Sequence, residues 1–227
     1  MKTLNEIIEE RAQKLLDDYN ETRNKPDVMD YGDRTIDYYK EKGLSYVLER
    51  LPPRYIDADV LNLDLREKLN KAVKNKKGVY LYGQAGTGKT YILYAMLKYM
   101  RAYGLMCTLW NLPEKLARLK SFYSKDGSGE EGITDEIQIQ SYLFIDDFGA
   151  EKVTEWNSEI MYRLINYRYE NMLQTYFASN LSLQELAERS GDRIASRIAE
   201  MCDIIEIGGE DKRLQKHGSD TNNPVSS

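Results

Sequence analysis

Gly78-Val79-Tyr80-Leu81-Tyr82 runs directly into Gly83-Gln84-Ala85-Gly86-Thr87-Gly88-Lys89-Thr90, and this junction decides the fold. The first five residues are apolar or aromatic and bounded by glycines, which reads as a short buried strand. The next eight fit Gly-x4-Gly-Lys-Ser/Thr. Thr90 to Arg101 then continues as a helix that stops near Gly104. A strand, a glycine-rich loop and a helix in that order form the context in which this pattern cradles a phosphate. Glycine lets the backbone wrap an anion without a Cβ clash. The N–H groups at the helix start then face that anion. Gly83, Gln84, Ala85, Gly86, Thr87, Gly88, Lys89 and Thr90 are therefore the expected nucleotide-binding residues. Lys89 would reach the β- and γ-phosphates, and the Thr90 hydroxyl would ligate Mg²⁺. The plainer reading is a glycine-rich turn with no ligand.

Outward from this junction, helices and short apolar strands alternate. Leu63 to Lys74 reads as a basic helix before it. After it come a strand at Leu105 to Trp110 and a helix from Pro113, where proline suits the first turn. Asp126 to Gly132 is a polar loop. Tyr142 to Ile145 is a third strand, Trp156 to Asn171 a helix, and Thr175 to Ala178 a fourth strand. Ser182 and Glu185 have capping-box spacing for a short helix. Asp192 to Met201 reads as another helix and Asp203 to Ile207 as a fifth strand. Strand and helix in repeated order predict an α/β fold, a parallel five-stranded sheet sandwiched by helices.

The chain has 227 residues, enough for one good-sized domain plus an appendage. Leu4, Ile7, Ile8, Ala12, Leu15, Leu16 and Tyr19 recur at helical spacing, and Leu51-Pro52-Pro53 breaks that pattern. The expected division is a helical N-terminal region at 1–50, a main domain at 51–213 and a disordered tail at 214–227. A net charge of −5 argues against a surface that grips nucleic acid all over, though not against a local basic strip. The longest apolar run, Tyr91 to Leu97, is far too short to cross a membrane. The start, MKTLNEIIEE, lacks the apolar core of a secretory signal. Two cysteines and one histidine leave little for zinc or Ser-His-Asp chemistry. A reducing, cytoplasmic setting is expected.

Four more groups of residues carry possible chemistry. Leu143-Phe144-Ile145-Asp146-Asp147 is an apolar strand ending in two acids. Asp146 would hold Mg²⁺, through water because that ion dehydrates reluctantly. Asp147 is placed to orient the attacking water, and Glu151 is a second candidate for that task. Asn180 ends the fourth strand, at the sheet edge where open α/β folds bind ligand. Arg193 and Arg197 lie one turn apart on one helix face. Either could stabilise phosphoryl-transfer charge from a neighbouring subunit, or form a surface pair with Asp192 or Glu200.

These residues together resemble the DnaC/IstB group of AAA+ ATPases, the bacterial and phage helicase loaders and their transposition relatives. The resemblance is carried by GQAGTGKT at 83–90, LFIDDFGAEK at 143–152, ASN at 178–180, GDRIASR at 191–197 and LPPRY at 51–55. It implies a P-loop fold of the ASCE type and ATP as the nucleotide. It also implies Asn180 as sensor, Arg197 as the arginine finger and Arg193 as the second candidate for that role. A replicative helicase, single-stranded DNA and other copies of the chain are the implied partners. Two departures stand out. The cysteine-rich zinc module of some loaders has no counterpart, and Gly208 to Arg213 is too short for a helical lid. Arg213 could replace part of one.

Two strips are candidates for DNA. Arg66 to Lys77 is basic. Lys120, Phe122, Tyr123 and Lys125 interleave cations with aromatics, which suits backbone neutralisation plus base stacking. The expected function is an ATP-hydrolysing helicase loader whose first 50 residues grip the helicase. The alternatives are an IstB-type transposition helper and a nucleotide-gated binding module with little turnover. A small-molecule P-loop kinase fits less well.

Overall fold

The computed structural model describes residues 51–102, 105–126, 141–209 and 211. The expected helical region at 1–50, the polar loop after Asp126 and the tail at 214–227 lie outside the described residues. Five strands are present: β1 Gly78–Tyr82, β2 Cys107–Asn111, β3 Tyr142–Phe148, β4 Thr175–Ser179 and β5 Cys202–Glu206. The helices are α1 Leu63–Lys74, α2 Lys89–Ala102, α3 Leu112–Asp126, α4 Glu155–Glu170, α5 Leu183–Ser190 and α6 Asp192–Met201. All strand pairs are parallel, and the sheet order is β2-β3-β4-β1-β5.

Alternation along each strand feeds two cores. Val79, Leu81, Phe144, Tyr176 and Ala178 point to one face, where α1 and α2 cover them. Tyr80, Leu143, Ile145 and Phe177 point to the other, beneath α3, α4, α5 and α6. Strands buried on both faces read as continuous apolar runs, and that is why they were legible without a polar alternation. The tyrosines divide as amphipathic residues do. Tyr80 and Tyr176 are fully buried, and Tyr80 donates its hydroxyl to the Leu181 carbonyl at 2.8 Å.

The approach to the domain is fastened to α2. Tyr55 stacks on Tyr94 with ring centroids 4.0 Å apart, and Tyr99 donates to Asp59 Oδ1 at 2.8 Å. Lys98 donates to the Ile56 carbonyl at 3.2 Å. Leu51, Ala58 and Val60 complete the same core.

Most sequence boundaries hold within a residue or two. Ser182 caps α5 with the full reciprocal capping box to Glu185. The largest difference is β3, which continues past Ile145 to Phe148. Ile145 pairs with Phe177 and Phe148 with Ser179, so three steps on β3 match two on β4. This is a bulge at Asp146-Asp147, and Asp147 takes φ +55° to make it. Aspartate tolerates that region better than most side chains. β5 begins at Cys202, one residue early, where Cys202 pairs with Gly78 and its thiol lies close to that glycine.

Candidate functional site

The glycine-rich segment occupies the β1–α2 junction as the sequence predicts. Gly86 has φ +82°, a backbone state that side chains strain to adopt. Thr87 is buried and donates its hydroxyl to the Gln84 carbonyl at 3.0 Å. Lys89, 6% exposed, folds back over its own loop and donates to the carbonyls of Gly83 at 2.8 Å and Gln84 at 2.7 Å. A buried ammonium held partly by neutral carbonyls can trade those bonds for stronger ones to an anion. The α2 N-terminus supplies backbone donors beside it.

Two strands away, β3 brings its acids to the same edge. The Thr90 hydroxyl donates to Asp146 Oδ1 at 3.0 Å, which joins the first and second sequence motifs directly. Asp146 is 7% exposed. Burial and then the Asp147 carboxylate push its pKa up to about 6, against the pull of Thr90, the Asp147 backbone and Lys89. A hydroxyl and a buried carboxylate in contact form a hard oxygen donor set suited to a small divalent cation. Asp147 turns the other way, and its Oδ2 accepts from Asn111 Nδ2 at 3.0 Å. Asn111 ends β2 in register with Asp146.

Glu151 is engaged within its own turn. It is buried, and its Oε2 accepts from the Gly149 N–H at 3.0 Å. Arg189 ties down the same turn through the Glu151 carbonyl at 2.7 Å. Asn180 follows the tip of β4, between the loop strand β1 and the acid strand β3, and is exposed. Its predecessor Ser179 makes the local bonds, donating to the Phe148 carbonyl at 2.7 Å and accepting from the Leu181 N–H at 3.0 Å. The turn therefore holds without the Asn180 side chain.

Arg193 and Arg197 are on α6, in the layer opposite α2. Arg193 is exposed. Arg197 lies against the rings of Tyr162 and Tyr169 on α4, its guanidinium 5.2 Å and 5.7 Å from their centroids. Glu200 accepts from the Tyr169 hydroxyl at 2.8 Å. Lys120 is exposed on α3, and the backbone of Phe122, Tyr123 and Lys125 continues that helix. On the other strip, Lys68, Lys71, Asn75 and Lys77 line a shallow concavity with Asp203, Ile204 and Ile205 at the β5 edge.

Sequence reasoning missed Asn111. Its signal was available, because a polar residue at a strand tip is the rule that selected Asn180, and β2 was read one residue short.

A parallel sheet in this order, with a phosphate loop after β1, acids on β3 and a polar tip on β4 between them, defines a P-loop protein of the AAA+ type. Within that class, the chain belongs to the IstB-like ATP binding protein family, which it matches over residues 62–220. It is 29% identical over 163 residues to the replicative helicase loader DnaI of Bacillus subtilis, covering 66% of this chain and 51% of DnaI. The crystal structure of the DnaC helicase loader superposes with a TM-score of 0.60 at 25% identity, covering 69% of this chain and all of that one. The DnaI crystal structure gives 0.57 at 27% identity, covering 74% of this chain and 93% of the other. The chain spans about half the length of the curated relatives it matches. Among the described residues, no helix is long and apolar enough to cross a membrane.

Proposed function

We propose that this protein is an ATP-hydrolysing loader of a replicative DNA helicase. The observation that carries the ATPase half is the 3.0 Å contact between Thr90 and Asp146 beside the folded-back Lys89. The loader half is supported by the likeness to DnaI and DnaC. Lys89 leaves the Gly83 and Gln84 carbonyls for the β- and γ-phosphates of ATP. Thr90 and Asp146 would hold Mg²⁺, whose charge would neutralise the phosphates. Asp147, steered by Asn111, orients the attacking water. Asn180 reaches the γ-phosphate or that water. An arginine from a second copy, Arg197 or else Arg193, stabilises the developing charge. In this reading residues 1–50 grip the helicase, 51–213 form the ATPase, and Lys120, Phe122, Tyr123 and Lys125 contact single-stranded DNA.

The likeness to IstB leaves one second reading, a transposition helper that would recruit a transposase. Affinity capture from host lysate separates the two, using wild type and Lys89→Ala with ATP or ADP. Nucleotide-dependent recovery of a replicative helicase is the expected result. Recovery of a transposase would move the protein to the second reading.

A further inference from the structure

The chain leaving β5 crosses the phosphate loop. The Ile207 N–H donates to the Tyr82 carbonyl at 2.7 Å, one step beyond the last β1–β5 pair. The Ile207 carbonyl then lies so close to Gly83 that a Cβ on that glycine would collide with it. Farther along, the carboxyl of Asp211 lies against Gly86, again where a Cβ would collide. Two glycines of the loop thus touch the same outgoing segment, and the second touches an acid.

Gly86 is the loop residue whose bare, left-handed backbone leaves room for a phosphate to approach. Backbone donors, the α2 dipole and Lys89 make that place attractive to an anion. We propose that the Asp211 carboxylate is the resident anion of the loop: it holds a seat that a nucleotide phosphate takes, and nucleotide binding displaces it. This rests on the nucleotide-binding reading above and adds a residue to that site. Two anions repel there, so occupancy is exclusive. Movement is cheap because Gly208 and Gly209 lie between the Ile207 anchor and Asp211. A Cβ on either would meet nothing within 4 Å. Ile207 stays in the sheet while Asp211 swings out.

The test compares the full chain with Asp211→Asn and Asp211→Ala. Affinities for ADP and for inorganic pyrophosphate are read by competition with a fluorescent ADP analogue. A carboxylate that holds the seat nine-tenths of the time weakens apparent affinity about tenfold. Both variants should therefore bind both ligands roughly tenfold more tightly. Unchanged or weaker affinity overturns the proposal. A gain for ADP alone also overturns it, because it places the carboxylate beside the nucleoside rather than the phosphates. Equal ADP binding by wild type and variants removes this inference and leaves the ATPase reading standing. No binding by any of them removes both.

Discussion

Two charges are buried at opposite ends of the sheet, and the fold treats them differently. Arg168, on α4, is fully buried where β3 and β4 begin. Its Nε donates to Thr175 Oγ1 at 2.7 Å, and an Nη donates to the Gln174 carbonyl at 2.8 Å. Burial pushes its pKa down to about 10, which still leaves it protonated at neutral pH. Asp146, at the far end of β3, has a carboxyl whose pKa is pushed up to about 6, within reach of neutral pH. The arginine is a finished structural joint. The aspartate is held in a state that a cation would relieve. Burial alone does not separate structure from function; how completely the partners offset it does.

The largest effect should come from breaking the finished joint. Arg168→Met keeps the bulk but removes the donors, leaving Thr175 Oγ1 and the Gln174 and Ser141 carbonyls short of partners. We expect a loss on the order of 3 kcal/mol, read as a lower urea midpoint at unchanged slope. The surviving folded protein should keep its nucleotide affinity. A loss of affinity at unchanged stability would reverse the contrast.

Asp146→Asn should move stability the other way. The raised pKa means that the folded state holds this proton more tightly than the unfolded chain. Below the usual 3.8 both states are protonated and nothing is lost. Between 3.8 and about 6 the folded state binds more protons, so metal-free stability falls as pH rises. Above that the full cost stands, up to about 3 kcal/mol. In EDTA at pH 7 the variant should be more stable than wild type, with a flatter profile between pH 4 and 6. Its ATP turnover should fall by about two orders of magnitude. Denaturation at stepped pH checks the first part and phosphate release the second.

The smallest of these effects belongs to the Asn111–Asp147 contact. Asn111→Ala frees the Asp147 carboxylate from a 3.0 Å bond. Turnover should drop about tenfold while stability changes by no more than about 1 kcal/mol. Single-turnover kinetics would show whether the loss lies in the chemical step. An effect on nucleotide affinity alone would detach Asn111 from the water-orienting task.

Much of this was legible because the determining signals are local. The β1 strand, the loop and α2 follow from adjacent glycines and a periodic helix. The β3 acids follow from an apolar run that stops. What escaped was set by pairing across the sheet. Sequence could not order the strands, so it could not say that β4 and Asn180 separate β1 from β3. The Asp146-Asp147 bulge exists only relative to the register of β4. Arg168 looks like any arginine near the end of a helix, and only Thr175 and Gln174, brought in by the fold, bury it. Arg197 was read as a finger or a surface ion pair with Asp192 or Glu200, and its stacking on Tyr162 and Tyr169 depends on how α4 and α6 pack.

The fastening of residues 55–59 to α2 has a mechanical consequence. Tyr94, Lys98 and Tyr99 hold the incoming chain on the helix whose first turn carries Lys89 and Thr90. Any shift of residues 55–59 would therefore be passed to α2, the helix that begins at the phosphate loop.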